Sequence, residues 1–191
     1  MKTVLATAVV LGVAFAFSEA PEHSAHIDAS AEMPDSNWQA ARETRILGRL
    51  NSSTSRSLSC DFVMNWPDSP TNFPANVDGK TTVLLFWRPS CTYCEPILKD
   101  LATFVKDSSK DVVVLSAAES SKPEGIAAMV KAVGGVSFPV CGYSDHDQTK
   151  RWQAEGVPLT IVFDSRGRAA RAAAGSDASA IVAQLRSGWR P

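Results

Sequence analysis

The chain of 191 residues is 45% hydrophobic and 20% charged, with 11 glycines and 11 prolines. This ordinary globular composition excludes collagen-like, coiled-coil and wholly disordered chains. Nineteen basic and twenty acidic residues give a formal net charge of −1, and the sequence lacks the basic patch that a general nucleic-acid binder carries. Two of the four cysteines form a single Cys-x-x-Cys motif, which is the feature that most needs an explanation.

Residues 1–16 are interpreted as an export signal. Lys2 is followed by an apolar stretch of about 14 residues, whereas a membrane-spanning helix needs about 20. Ala14-Phe15-Ala16 supplies the small-x-small pattern of a cleavage site. The alternatives are an uncleaved membrane anchor and a buried N-terminal helix. An exported chain is expected to work in a periplasmic or other extracytoplasmic compartment, where disulfides persist.

Residues 17–56 are predicted to be a polar linker with a short helix over 37–50. Residues 17–36 are small and polar without apolar periodicity, and the weak apolar stripe of the helix predicts a peripheral position. His23 and His26 form an HxxH pattern in the linker. Without further ligands, this pattern favours a solvated pair over a metal site. The folded domain is expected over residues 57–191.

Apolar runs and periodicities predict alternating strands and helices in this domain. Residues 83–87 are continuously apolar, as in a strand buried on both faces, and a helical stripe begins at Cys94. Further strands are predicted at 58–64, 112–115, 138–141, 159–163 and 168–173, further helices at 126–133, 147–153 and 178–185, and a loop at 65–80. The alternation predicts an α/β fold with a central mixed β-sheet flanked by helices, ending in an antiparallel hairpin and a helix.

The Cys-x-x-Cys motif lies where the buried strand passes directly into a helix. A cysteine at a helix N-terminus faces unpaired backbone N–H groups and the positive end of the helix dipole, both of which favour the thiolate. Arg88 adds positive charge three residues earlier. We expect Cys91 to be the more exposed sulfur and the attacking nucleophile, and Cys94 to resolve the mixed disulfide.

Two other interpretations of the motif are a structural disulfide and half of a zinc site. Zinc needs two further ligands at suitable spacing, and Cys60, Cys141 and His146 form no second paired motif. The order strand, motif, helix favours redox function over both.

The segment LLFWRPSCTYCEPILKDL, residues 84–101, resembles the active-site strand, motif and helix of the thioredoxin-like superfamily. The segment 155–164, EGVPLTIVFD, resembles the family's Gly-apolar-Pro-Thr element. The resemblance implies a cis Val157–Pro158 peptide that faces the motif and whose backbone pairs with a substrate strand. Further likeness at 138–140 and 164–168 is greatest to the exported TlpA and ResA branch.

The sequence departs from the family pattern in several places. Leu85 stands where members often carry a buried acid that accepts a proton, so Glu95 and Glu119 are candidate substitutes, with solvated carboxylates as the favoured alternative. Pro96 removes a helical N–H and is expected to loosen the first turn. Leu159 replaces a common threonine.

Two aromatic residues lie before and within the motif. Trp87 is expected to border the active site, with packing in the core or at its rim as the default alternative. Tyr93 is similar to the residue that disulfide isomerases carry between their cysteines. The resemblance places both, with Val157 and Pro158, among the substrate-binding residues. Because the strand and helix pattern resembles reductases instead, the direction of electron flow stays open.

Cys60 and Cys141 lie on predicted strands outside the motif. In an exported protein the favoured interpretation is a structural disulfide between them. The alternatives are two buried thiols and a second redox pair that relays electrons to the motif.

The sequence therefore predicts an exported thiol–disulfide oxidoreductase that acts through Cys91 and Cys94, most readily as a reductant. No organic cofactor and no metal is expected, since the two sulfurs carry the electrons. The expected partners are protein thiols or disulfides and a membrane-bound redox partner. The alternatives are a disulfide isomerase or oxidase of the same fold, and a Cu(I)-delivery module that uses the motif as soft ligands, with Met64 as an added candidate.

Overall fold

The computed structural model describes residues 36–53, 57–66, 72–74, 79–107 and 111–191. The predicted export signal, His23 and His26 lie outside these ranges. Within them, no helix is both long and apolar enough to cross a membrane.

A mixed sheet of six strands forms the centre of the fold, in the order β2-β6-β5-β4-β7-β8. The parallel neighbours β4, β5 and β6 form its middle, and β2, β7 and β8 pair antiparallel at the two sides. A separate antiparallel pair consists of β1 and β3. The strands are β1 (Ser57–Ser59), β2 (Phe62–Met64), β3 (Asn72–Pro74), β4 (Thr81–Trp87), β5 (Val112–Glu119), β6 (Val140–Tyr143), β7 (Leu159–Phe163) and β8 (Ala169–Ala174).

Helices cover both faces of the sheet. They are α1 (Ser36–Ser52), α2 (Cys94–Asp107), α3 (Pro123–Ala132), α4 (His146–Arg151) and α5 (Ala178–Arg186), with a 3₁₀ turn at Gly175–Asp177. Alternate side chains of β4 point to opposite faces of the sheet. Leu85 and Trp87 pack in the cluster that includes α2 and α5. Leu84 and Phe86 pack in the cluster that includes α1. Every residue of β4 is buried, as the continuous apolar run predicts.

The first predicted strand, 58–64, is divided in the structure between β1 and β2, which belong to different sheets. The side-chain amide of Gln148 bonds both the N–H and the C=O of Ser59, so it replaces a strand neighbour there. Cys60 and Asp61 then carry the chain across to β6. The predicted loop 65–80 contains β3, because residues 72–74 pair with β1. Strand β6 begins two residues later than expected.

The helix that we placed in a linker packs as an integral part of the compact unit that holds the sheet. Its Ile46 and Leu50 are buried. Asn51 exchanges two hydrogen bonds of 2.9 Å with the backbone of Ala169 in the edge strand β8. Glu43 accepts hydrogen bonds from the N–H of Ala172 and from Arg171 in the same strand. Side chains of α1 therefore satisfy backbone groups along a sheet edge that would otherwise be open, and the domain begins before our expected boundary at residue 57.

The predicted hairpin between β7 and β8 is confirmed. Its turn is held by the carboxylate of Asp164, which accepts hydrogen bonds from the N–H groups of Arg166 and Arg168 and from the Arg168 side chain. Burial alone raises the pKa of Asp164, but these hydrogen bonds and the Arg168 charge outweigh it, and the pKa is lowered. The turn therefore has an ionised side chain at its centre.

Candidate active site

The cysteine motif forms two consecutive turns between β4 and α2. The N–H of Cys91 donates to the carbonyl of Arg88 at 3.1 Å, and the N–H of Cys94 donates to the carbonyl of Cys91 at 3.0 Å. Helix α2 begins at Cys94. The motif thus leads into the N-terminal turn of a helix, where backbone N–H groups lack intrahelical partners.

Cys91 and Cys94 form a disulfide in the structure, and their exposure differs. Cys94 is fully buried, packed between the sheet and α2, while Cys91 is half-buried at the rim of the same cluster. A second protein can therefore approach Cys91 and not Cys94. This geometry suits the roles that the sequence assigns to them.

Pro96 does not loosen the helix, contrary to expectation. It is the third residue of α2, and the first four N–H groups of a helix have no intrahelical acceptor. Proline is well tolerated in the first turn for this reason. The motif therefore keeps a regular helix behind it.

The Val157–Pro158 segment, which leads into β7, lies against the motif. The peptide between these residues is cis. The Sγ of Cys91 lies 3.8 Å from the carbonyl oxygen of Val157, although the two residues are 66 positions apart in sequence. Tyr93, beside Cys91, is 73% exposed. A half-buried sulfur thus lies against a backbone carbonyl, and an exposed aromatic ring follows two residues later in the chain.

Glu119, the last residue of β5, lies in a charged cluster near the motif. Its carboxylate accepts a hydrogen bond of 2.5 Å from the Nε of Arg88, and its other oxygen is 3.4 Å from the Nδ1 of His146. Burial alone raises the pKa of Glu119, but Arg88, His146 and Thr149 together lower it. Glu119 is therefore an ionised partner of Arg88 rather than a solvated carboxylate, and it offsets the positive charge that we expected Arg88 to add.

Sequence reasoning missed this cluster, because it considered Arg88 and Glu119 separately and weighed His146 only as a zinc ligand. The signal was the position of its members. Arg88 directly follows β4, Glu119 is the last residue of β5, and His146 comes shortly after β6. The carboxyl ends of parallel strands meet at one edge of a sheet.

No protein-family model and no curated protein matches the sequence. Solved structures match its fold. A secreted disulfide oxidoreductase of Mycobacterium tuberculosis, homologous to E. coli DsbE, matches with a TM-score of 0.53 at 16% identity, over 73% of this chain and 98% of its own. StoA of Bacillus subtilis gives a TM-score of 0.52 at 17% identity, over 67% and 98%. A thioredoxin-like protein solved in the oxidised form gives 0.54 at 19% identity, over 71% and 99%.

The chain has the thioredoxin-like fold. Its Cys-x-x-Cys motif stands at the end of a central strand of that fold, as the sequence resemblance implied. At these identities the likeness establishes the fold, and the activity is argued from the site itself.

Trp87 is not a substrate-binding residue at the surface of this thioredoxin-like domain. It is fully buried in the cluster that includes Cys94 and Leu98, and it has no exposed area with which to touch a second protein. Trp87 faces inward because it alternates with Phe86 along β4 and occupies the face covered by α2. Of these two aromatic residues, Trp87 and Tyr93, only Tyr93 is exposed.

The position of the family's buried acid is apolar in this chain. Leu85 is fully buried and lies opposite Thr160 of β7. Among the described residues, the buried Thr160 hydroxyl has no hydrogen-bond partner. A buried hydroxyl thus lies beside the leucine that replaces the acid.

Cys60 and Cys141 form a second disulfide, with Cα atoms 5.4 Å apart. Cys141 packs in the cluster with Leu84 and Phe86, on the sheet face opposite the one where Cys94 packs. Thiol–disulfide exchange requires direct contact between sulfurs. The intervening sheet therefore argues against the interpretation of this pair as a relay.

The described residues contain no group of three or more His, Cys, Asp or Glu side chains arranged to hold a metal ion. In that part of the chain, each of the four cysteines is in a disulfide.

Proposed function

We propose that the protein is an exported thiol–disulfide oxidoreductase that reduces disulfides of other proteins. The observation that carries this proposal is the unequal exposure of the two motif cysteines beside the Val157 carbonyl. A partly exposed nucleophile with a protected partner sulfur three residues later is the arrangement that dithiol exchange needs.

In the first step, the Cys91 thiolate of the reduced protein attacks one sulfur of a substrate disulfide. A new bond forms between Cys91 and that sulfur, the substrate disulfide breaks, and the second substrate sulfur leaves as a thiolate that takes up a proton. Unpaired N–H groups at the start of α2 stabilise the attacking thiolate. The Val157 carbonyl accepts a backbone N–H of the substrate and aligns it.

In the second step, Cys94 loses its proton and attacks the Sγ of Cys91. The intramolecular disulfide forms, the mixed disulfide breaks, and the first substrate sulfur leaves as a thiolate and is protonated. Two electrons have then passed to the substrate. Because Cys94 is fully buried, it resolves the mixed disulfide at Cys91 without attacking external substrates itself. A membrane-bound thiol partner restores the dithiol by the same exchange.

The roles of the two sulfurs are tested with single variants. Cys91→Ser is expected to abolish insulin-disulfide reduction, while Cys94→Ser accumulates mixed disulfides that nonreducing electrophoresis and mass spectrometry detect. Unimpaired turnover by Cys91→Ser would refute the proposal. A Cu(I)-delivery module would instead bind copper tightly in its reduced form and show no disulfide exchange.

The direction of electron flow is tested by the reduction potential of the Cys91/Cys94 couple. A value near −270 mV is expected for a reductant, whereas a value near −120 mV indicates an oxidant. Tyr93 resembles the isomerase pattern, so refolding of a substrate with scrambled disulfides is measured in parallel. Efficient rescue of that substrate at an intermediate potential would favour the isomerase.

A further inference from the structure

A groove rich in arginine lies between α1 and the segment that leads to Val157. Its volume is about 500 Å³, and its lining includes Trp38, Arg42, Arg45, Arg49 and Glu155. We call it the arginine groove. The three arginines are spaced by three and four residues, so they lie on one side of the helix.

The charge of the arginine groove is largely uncompensated. In the described part of the chain, none of the three arginines forms an ion pair. Arg49 donates to the neutral side chain of Gln153. The acid of α1, Glu43, is occupied by Arg171 of β8. Three guanidinium groups thus face a single carboxylate, that of Glu155.

An exposed aromatic ring lies at the same groove. Trp38 is 49% exposed, and the guanidinium carbon of Arg42 is 5.4 Å from its ring centroid. Trp38 and Tyr93 are the two large hydrophobic residues that the described part of the chain leaves exposed. One lies at the cysteine motif and the other at the arginine groove.

Gly156 connects the groove to the motif. A Cβ added at this residue would lie 2.8 Å from the Nη2 of Arg42, so the backbone and the guanidinium approach closely. The next residue is Val157, whose carbonyl is 3.8 Å from the Cys91 sulfur. Since an extended chain advances about 3.3–3.6 Å per residue, a polypeptide bound at Cys91 reaches the groove within a few residues.

We infer that the substrate is a polypeptide with Asp or Glu residues within a few positions of its target cysteine, and that their carboxylates bind in the arginine groove. This inference rests on the proposed function and names its substrate class. Guanidinium groups bind carboxylates through paired N–H donors. The groove therefore selects acidic segments and holds them while Cys91 attacks.

The test uses three synthetic peptides, each with one internal disulfide, that differ only in whether acidic, neutral or basic residues flank the attacked cysteine. The full chain, recycled by dithiothreitol, is expected to reduce the acidic peptide with the highest kcat/KM. In the triple variant Arg42→Gln, Arg45→Gln, Arg49→Gln, the preference for the acidic over the neutral peptide should fall about eightfold, since each exposed ion pair contributes a factor of about two. Added salt should reduce the preference of the unmodified chain in the same direction.

A matched control is the triple variant Lys80→Gln, Lys106→Gln, Lys131→Gln, which removes the same charge. All three lysines are exposed. Lys80 precedes β4, and Lys106 and Lys131 lie in the last turns of α2 and α3, at the end of the sheet opposite the motif. Their replacement should leave the preference unchanged. If the arginine triple variant unfolds, the single variant Arg45→Gln is measured instead. Its preference for the acidic over the neutral peptide should fall about twofold.

Equal reduction of all three peptides by the unmodified chain would overturn the inference and leave the proposed function intact, while no reduction of any peptide would overturn the proposed function. Equal loss of preference in the arginine and lysine triple variants would show a general charge effect and overturn the inference. If the arginine triple variant changes its molecular mass in solution but keeps the preference for the acidic peptide, the groove joins copies of the chain, and the inference is overturned.

Discussion

Removal of the Cys60–Cys141 disulfide tests whether this bond stabilises the fold without serving its redox chemistry. The two cysteines are 81 residues apart in sequence. For a loop of that length, the chain-entropy relation gives about 15 cal/mol/K, or about 4.5 kcal/mol at room temperature. The double variant Cys60→Ala, Cys141→Ala is expected to lose about this free energy of unfolding. For a domain of this size, the loss lowers the melting temperature by about 10–18 °C.

The assay is urea unfolding of the oxidised protein, after mass spectrometry has verified both disulfides in the unmodified chain. The matched control is Cys91→Ala, Cys94→Ala, whose disulfide spans only three residues and is expected to contribute less than about 2 kcal/mol. A loss below about 1 kcal/mol in the Cys60 and Cys141 variant would refute the loop-entropy reasoning.

The same variant also tests the relay interpretation. The two disulfides lie on opposite faces of the sheet, so the rate of insulin reduction through Cys91 should be unchanged well below the melting temperature of the variant. A large loss of rate in a folded sample would show that electrons pass through Cys60 and Cys141.

Two further predictions concern buried polar groups on and beside the sheet. Thr160→Val removes a buried hydroxyl that has no partner among the described residues, so the free energy of unfolding should stay unchanged or rise by about 1 kcal/mol. Thr149→Val removes a partner of a buried tyrosine hydroxyl and should lower the free energy of unfolding by about 1 kcal/mol. Denaturant titration of both variants checks these values, and a loss of stability in Thr160→Val would contradict the reasoning. Glu119→Gln should lower stability at neutral pH by about 1–2 kcal/mol because it leaves Arg88 unpaired. Since folding lowers the pKa of Glu119 from 4.5, its stabilisation is present above that value and is lost as the pH falls through the lowered pKa. The difference between the variant and the unmodified chain should therefore disappear in acid, and a difference that persists there would show another cause.

The sequence was informative where one local pattern determined the structure. The continuous apolar run of β4 requires burial on both faces, and the helical stripe after Cys94 places α2. Helix α3 ends before Gly134 and Gly135, which both have positive φ, and the N–H of Gly135 donates to the carbonyl of Val130 at 2.8 Å. These features depend on neighbours in sequence.

The sequence failed where distant polar side chains replace backbone partners. Helix α1 appeared peripheral because its apolar stripe is weak, but it is attached through Glu43 and Asn51 to β8, more than 100 residues later. Gln148 does the same for Ser59 of β1. Such contacts leave no periodic signal, because one polar residue at the right place is sufficient.

The position of Trp87 on β4 explains why it does not border the active site at the surface. Trp87 lies shortly before the motif in sequence, but it faces the core covered by α2. Proximity in sequence to an accessible cysteine therefore does not imply exposure, because both faces of β4 are covered.

The carboxyl edge of the parallel strands combines three environments within a short distance. Cys91 follows β4 with its sulfur half-buried, Cys94 lies beneath it in a dry core, and Glu119 at the end of β5 holds Arg88 in an ion pair. Because that pair offsets the charge of Arg88, the proposed thiolate at Cys91 is stabilised mainly by the N-terminus of α2. In the proposed function, the charges that distinguish one substrate from another then come from outside the motif. The arginines of α1 are suited to this role, since Arg42 lies against Gly156, the residue before Val157.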